Sequence, residues 1–171
     1  GTSLSLPSQL EVQVAEMLIE RIPSAEMVRY GKNGSDVTSA AIRLARYHSG
    51  KNHILFCGYH GCQDWYIGQT SMHGGVPEVV RELSHRFNYD DISSLKILIE
   101  QYEEDIACII LEPSPARFEQ PSTEFLSDVR KTANAKNILL IFDEVVTGFR
   151  FHKGGVQALT GVIPDLSTFS K

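Results

Sequence analysis

The sequence predicts an α/β fold in which helices cover a parallel-rich sheet. Three short apolar runs are continuous rather than alternating, at His53–Cys57, Ile106–Leu111 and 138–142. Such runs are typical of strands that are buried on both faces. Helical patterns at Ile92–Tyr102 and 122–135 lie between the later runs, and this alternation favours a parallel sheet. No repeat or flexible linker divides the chain, so we expect one body.

The first predicted element is a helix that begins after Ser8 and ends before Pro23. Its apolar residues recur three or four positions apart, at Leu10, Val14, Met17 and Leu18. This spacing is typical of an amphipathic helix, and proline is not tolerated inside one.

A second helix is expected from near Ser35 to about His48. Its apolar face includes Ala41, and Ser35 or Asp36 is positioned to cap its first turn. Gly50 is expected to end it.

The charge pattern excludes several kinds of partner. The formal net charge is -5 and the basic residues are dispersed, so neither nucleic acid nor an anionic membrane is an expected partner. No apolar run approaches the roughly 20 residues of a membrane span. The first residues lack the pattern of a signal peptide, so we expect a cytoplasmic location.

Cysteine and histidine come close together in the segment "CGYHGC". Cys57 and Cys62 flank His60, with His53 nearby, which permits a metal site as one interpretation. The spacing matches no zinc pattern, and no second ligand pair follows. We therefore favour small buried thiols at a strand end.

Polar or aromatic residues follow each of the three predicted strands. They are Tyr59 and His60 after the first, Glu112 after the second, and Asp143 with Glu144 after the third. Because the carboxyl ends of parallel strands share one edge of a sheet, we expect these side chains to converge on one crevice.

The segment "GKNGSD" adds a possible anion site at the start of the second helix. Backbone N–H groups at a helix start bind phosphate, and Gly34 and Ser35 would let it approach closely. The segment matches neither a Walker A loop nor the GxGxxG fingerprint of a Rossmann-type nucleotide binder. Taken alone, the segment is more often a purely structural turn and cap.

Four segments together resemble the class III aminotransferases, which use pyridoxal 5'-phosphate on the type I fold. They are "NGSD", "GYHG", "IFDEVVTGFR" and "PDLSTFSK", in the family's order. The glutamate-1-semialdehyde aminomutase branch is the most similar. The resemblance implies that residues 1–171 form part of the large, cofactor-binding domain, and that the rest of that domain and a small domain lie outside this chain.

The resemblance also implies roles around the cofactor ring. Lys171 corresponds to the lysine that forms the Schiff base, and Asp143 to the acid that pairs with the pyridine nitrogen and keeps the ring an electron sink. Tyr59 and Val145 correspond to residues that pack on the two ring faces. His60 either hydrogen-bonds behind the ring or acts on substrate.

Further roles follow from the same resemblance. Gly34 and Ser35 correspond to the turn that binds the cofactor phosphate, and Glu112 to an acid near the phenolic oxygen. Glu144 is expected to support its turn or to reach toward substrate. Many members have glutamine where this chain has Val146, which removes a polar contact to the phenolic oxygen.

The implied activity is transfer of an amino group from a small amino donor to an aldehyde or keto acceptor, in a homodimer. Intramolecular transfer of the glutamate-1-semialdehyde 2,1-aminomutase type is the alternative, since the residues that separate the two are not among the motifs. A non-catalytic module that keeps the fold without the cofactor is a further alternative. Intact Asp143, Tyr59 and Lys171 argue against it.

Overall fold

Five parallel strands form one sheet in the part of the chain that the computed structural model describes, residues 8–114 and 119–171. The strands are β1 His53–Cys57, β2 Ser84–Arg86, β3 Ile106–Leu111, β4 Leu139–Asp143 and β5 Leu166–Thr168. Their order across the sheet is β2-β1-β3-β4-β5, and every neighbouring pair is parallel. The predicted fold class is confirmed.

Helices precede or connect the strands. They are α1 Gln9–Arg21, α2 Gly34–Ser49, α3 Asp64–Ile67, α4 Glu78–Arg81, α5 Ile92–Tyr102, α6 Thr123–Ala135 and α7 Gly155–Thr160, with a 3-10 turn at Glu103–Asp105. The four helices predicted from apolar spacing are α1, α2, α5 and α6, and their ends agree within about two residues, which is the usual scatter at helix termini.

The start of α2 differs from the prediction. The capping residue is Asn33, whose Oδ1 accepts a hydrogen bond from Asp36 N at 3.1 Å. The predicted caps, Ser35 and Asp36, therefore lie inside the first turn. Gly50 ends the helix as expected, in the left-handed conformation with φ +70.

The core lies on both faces of the sheet. Leu95 of α5 and Leu126 of α6 are buried against one face, and Ile42 of α2 is buried against the other. Every residue of β3 is buried, because this strand is central and covered on both sides. Within the described residues, no helix combines the length and apolarity needed to cross a membrane.

The prediction omitted β2 and β5, which are three residues long and lie at the two edges of the sheet. The edge strand β5 is aligned by Asp165, whose N–H donates to Leu140 O at 2.9 Å and whose Oδ2 accepts from Leu140 N at 2.7 Å. Because β4 and β5 are parallel, both strands end at the same edge of the sheet. Lys171 follows β5 and therefore lies at that edge.

Candidate active site

The predicted residues converge at the carboxyl edge of the sheet. Cys57, the last residue of β1, pairs with Leu111, the last residue of β3, so the two strands end side by side. The next residue, Glu112, donates its N–H to Cys57 O at 3.0 Å. The last residue approaches the turn after β4, because Lys171 N donates to Val145 O at 3.2 Å.

Asp143 is a buried carboxylate with three hydrogen-bond donors. Its side chain is almost completely covered, at 2% residue exposure. Oδ1 accepts from Val145 N at 3.1 Å and from Thr168 Oγ1 at 3.1 Å, and Oδ2 lies 2.7 Å from His60 Nδ1. Three donors stabilise the negative charge in a site from which water is excluded.

His60 lies behind Asp143 rather than at the open rim. It is buried, its ring stacks on Trp65 with centroids 5.8 Å apart, and its Nε2 lies 3.1 Å from Cys57 O. A carbonyl oxygen only accepts, so Nε2 carries a proton. Both ring nitrogens are thus engaged, and no group of three or more metal-ligating side chains occurs within residues 8–114 and 119–171.

Glu112 holds the loop that carries Tyr59. Its Oε2 accepts from Tyr59 N at 2.8 Å, and Gly58 lies so close that a Cβ there would be 2.6 Å from Oε2. Burial raises the pKa of Glu112, and the hydrogen bond from the Tyr59 N–H offsets only part of this rise. The Tyr59 side chain itself remains 59% exposed at the rim.

The start of α2 packs directly against the turn after β4. A Cβ at Gly34 would lie 2.8 Å from Val145 Cγ1 and 3.6 Å from Ser170 Cβ. Ser35 Oγ accepts from Cys62 N at 3.2 Å. Gly61 has φ +103, and a Cβ there would overlap Ser35 Oγ. Glycine is therefore required at both positions for these segments to come together.

Glu144 serves a different purpose from its neighbour Asp143. It is buried, and its Oε2 accepts from Val156 N at 2.7 Å and from Thr147 Oγ1 at 3.2 Å. Val156 lies in the first turn of α7, so the carboxylate caps that helix. Burial raises the pKa of Glu144. The geometry agrees with support of the turn, not with contact to substrate.

The backbone of Lys171 is held on both sides. Its N–H donates to Val145 O, and its main-chain oxygen accepts from Arg150 Nη1 at 3.1 Å. The side chain is exposed. The backbone of Lys171 therefore lies against the turn that follows Asp143.

Comparison with known proteins identifies the family. The family model Aminotransferase class-III matches residues 3–171. The chain belongs to this family. The resemblance of the four sequence motifs is thus confirmed.

The class III relatives include both kinds of enzyme. The chain is 42% identical to 3-aminobutyryl-CoA aminotransferase of Cloacimonas acidaminovorans (strain Evry) over 175 residues, covering 100% of this chain and 42% of that protein. It is 39% identical over 185 residues to glutamate-1-semialdehyde 2,1-aminomutase of Francisella philomiragia, again covering 100% and 42%. A solved transaminase with PLP bound superposes with TM-score 0.90 at 27% identity, over 100% of this chain and 43% of that one. The class III chain described here spans less than half the length of these relatives.

Sequence reasoning missed three residues of this class III site. Thr168 was overlooked because it lies in β5, which the sequence does not reveal. Gly61 acts in part through its contact with Ser35, which lies far from it in the sequence. Arg150 stands inside a quoted motif, but its contact with Lys171 depends on the turn between them.

Proposed function

We propose that this chain is the cofactor-binding part of a pyridoxal-phosphate-dependent aminotransferase. The observation that carries the proposal is the backbone contact of Lys171 with the turn that follows the buried Asp143. Val145 links them, because it lies two residues after Asp143 and accepts the N–H of Lys171. A buried anion and a primary amine are the two groups that this cofactor needs from a protein.

The residues at the start of α2 fit the phosphate of such a cofactor. The first N–H groups of a helix have no intrahelical acceptor, and among the described residues none pairs with Gly34 N or Ser35 N. The carboxylate of Asp36, in the same turn, faces Gln63 Nε2 at 3.5 Å. Lack of a side chain at Gly34 lets this turn pack against Val145, which places its free N–H groups beside the turn that follows Asp143.

The side chains at the rim fit the ring. Tyr59 supplies an exposed aromatic surface and Val145 an aliphatic one, which suits contact with the two faces of a flat heterocycle. Asp143 is held by three donors and would pair with the protonated ring nitrogen. His60 and Thr168 hold Asp143 in place.

Bound pyridoxal phosphate supplies an aldehyde that condenses with amines and a ring that accepts electrons. Lys171 would provide the amine that holds the aldehyde and, once free, would accept a proton at Nζ. Asp143 would hold the ring nitrogen. Glu112 holds the Tyr59 loop, whose aromatic side chain would pack on the ring.

Substrates are a small amino donor and an aldehyde or keto acceptor. Transfer between two molecules is our first proposal, supported by the aminotransferase relative with 42% identity. Intramolecular transfer is the second, supported by the aminomutase relative with 39% identity. The chain covers 42% of each, so we propose that it acts within a longer polypeptide, as a homodimer.

Reduction with borohydride tests the cofactor proposal on the whole protein. Addition of pyridoxal phosphate should produce absorption in the visible, and borohydride should bleach it and fix the label to Lys171. Replacement K171A should abolish the label, whereas K51A, at the opposite edge of the sheet, should retain it. A colourless protein, or a label on another lysine, would disprove the proposal.

Isotope transfer distinguishes the two reactions. A transaminase moves a ¹⁵N label from a donor to a different acceptor. A mutase converts glutamate-1-semialdehyde alone, with no second substrate. Labelled nitrogen in a separate acceptor would identify a transaminase. Conversion of glutamate-1-semialdehyde with no second substrate would identify a mutase.

A further inference from the structure

Asparagine is followed directly by glycine where α2 begins. Asn33 caps the helix and Gly34 is its first residue. Asn33 is exposed, and glycine carries no side chain that would keep its own nitrogen from the Asn33 side chain. We propose that Asn33 is a site of spontaneous deamidation, and that a phosphate bound at the start of α2 protects it. The site itself is independent of the proposed function, whereas the protection rests on that function.

The reaction needs only the chain and water. Gly34 N gives up its proton and bonds to Asn33 Cγ, while the bond from Cγ to Nδ2 breaks and the nitrogen leaves as ammonia. The product is a cyclic imide that joins the two residues. Water then opens the ring at either of its carbonyl carbons, which gives aspartate or isoaspartate at residue 33. No oxidant or reductant is consumed.

The nucleophile of this reaction is free in the structure. Within residues 8–114 and 119–171, no acceptor pairs with Gly34 N. An N–H in the first turn of a helix has no intrahelical partner, and the positive end of the helix dipole favours loss of its proton. Because α2 is 16 residues long, this dipole is well developed.

The capping hydrogen bond polarises the carbonyl group that is attacked. Asn33 Oδ1 accepts from Asp36 N at 3.1 Å. Negative charge gathers on Oδ1 as Gly34 N bonds to Cγ, so the Asp36 N–H stabilises the atom that becomes an oxyanion. The start of α2 therefore supplies both the nucleophile and a donor for the charge that develops.

Ring closure requires a rotation that a bound phosphate would prevent. Asn33 is extended, with φ -156 and ψ 176, and its Cα–C bond must rotate before Gly34 N meets Cγ. The exposed first turn of α2 can open to permit this rotation. A phosphate held by Gly34 N and Ser35 N would occupy the nucleophile and fix the turn, so the bound protein should deamidate more slowly.

Deamidation would in turn weaken the binding of phosphate. A carboxylate at residue 33 competes for the free N–H groups and repels an anion beside them. Isoaspartate also lengthens the main chain, although Gly34 packs so closely that a Cβ there would lie 2.8 Å from Val145 Cγ1. The turn that follows Asp143 would then be displaced from the start of α2.

Peptide mapping by mass spectrometry tests the proposal on the whole protein. The native protein is incubated at mildly alkaline pH without cofactor, and conversion of amide to acid is followed at each asparagine. Four exposed asparagines followed by larger residues serve as internal controls, namely Asn52, Asn88, Asn134 and Asn137. We expect Asn33 to react at least about tenfold faster than any of them.

Pyridoxamine 5'-phosphate tests the protection, because it carries the ring and phosphate of the proposed cofactor without a reactive aldehyde. At saturation it should slow deamidation of Asn33 about tenfold and leave the four controls unchanged. Its binding is measured separately by absorbance titration.

Two variants isolate the effect of the new charge. Serine and aspartate cap helices about equally well, so N33S and N33D should both fold, as circular dichroism would verify. N33S has no amide to lose and should stay unmodified at residue 33. N33D carries the charge that deamidation introduces, and it should bind pyridoxamine 5'-phosphate about tenfold more weakly than N33S.

Each possible failure has its own signature. A rate at Asn33 no higher than at the four controls would overturn the site. Unchanged deamidation in protein that does bind pyridoxamine 5'-phosphate would overturn the protection, as would equal affinity in N33D and N33S for the effect of the charge. Failure of the native protein to bind it would instead refute the proposed function, while the rates at the five asparagines would still decide the site.

Discussion

Nδ1 of His60 lies 2.7 Å from Oδ2 of Asp143, and both side chains are buried. The other nitrogen of His60 faces the carbonyl of Cys57 at 3.1 Å. The imidazole ring therefore connects the Asp143 carboxyl group to the end of β1 and holds it in one orientation.

Replacement of His60 tests this arrangement. H60F removes a hydrogen-bond partner of the buried Asp143 carboxyl group, so we expect it to lower the free energy of unfolding by about 1–3 kcal/mol. Affinity for pyridoxal phosphate should fall about tenfold. Urea unfolding and absorbance titration measure the two effects. H60Q retains one donor, so its stability and its affinity should lie between those of H60F and the native protein. H73F, at an exposed histidine, should behave as native. Native affinity in H60F would show that Asp143 does not need this partner.

Thr168 provides a second donor to the same carboxylate. T168V keeps the shape of the side chain but removes the hydroxyl that lies 3.1 Å from Asp143 Oδ1. Loss of one hydrogen bond to a buried charge costs about 1.5 kcal/mol, so we expect about tenfold weaker binding of pyridoxal phosphate in an absorbance titration. T168S should retain native affinity. T70V removes a hydroxyl bonded to Ile67 O at 2.8 Å, remote from the site, and should leave affinity unchanged.

The apolar runs were sufficient to predict the central strands. A buried parallel strand must be apolar on both faces, so β1, β3 and β4 are visible in the sequence. The edge strands β2 and β5 are only three residues long and carry polar side chains, among them Ser84 and Ser167. Their pairing is decided by neighbouring strands, and no local pattern encodes it. Thr168 was missed for this reason.

The two adjacent acids show a further limit of sequence reasoning. Asp143 and Glu144 are adjacent acids at the end of β4, yet Asp143 bonds to His60 and Thr168 while Glu144 caps α7. Alternation along the chain turns consecutive side chains to opposite sides. Which side holds the site depends on tertiary packing, through the position of Gly155 and Val156. The motif resemblance separated Asp143 from Glu144, but only the structure shows the partner of Glu144.

Gly61 should be indispensable because of a contact and not only because of its backbone angle. A Cβ at Gly61 would lie 2.8 Å from Ser35 Cβ and would overlap its Oγ, with φ +103. We expect G61A to destabilise the fold by about 1–2 kcal/mol from strain and by about 1–3 kcal/mol more from overpacking. Urea unfolding measures the sum.

Gly75 offers a matched control for Gly61. Its φ is +89, and a Cβ there would meet nothing within 4 Å. G75A should therefore show the strain cost alone, about 1–2 kcal/mol. The double variant G61A/S35G should recover most of the difference. Equal costs in G61A and G75A would contradict the contact with Ser35.

The histidine pair at the opposite end of β1 predicts a loss of stability in mild acid. His85 is half-buried, its Nε2 lies 2.8 Å from His53 Nδ1, and its ring stacks on Tyr102 at 3.9 Å. Burial, together with the nearby His53, lowers the pKa of His85 from 6.5 to about 4. Because this pKa is lower in the folded state, the unfolded chain binds a proton that the folded chain does not, between pH 6.5 and about 4. The contribution of His85 to stability is thus full above pH 6.5 and declines as the pH falls toward 4.

H85F keeps an aromatic ring against Tyr102 and removes the titrating group, so its free energy of unfolding should depend less on pH over this interval than that of the native protein. Urea unfolding at pH 7.5, 6 and 5 measures the slopes, and H73F should keep the native slope. An H85F slope equal to the native one would assign the acid sensitivity to other groups.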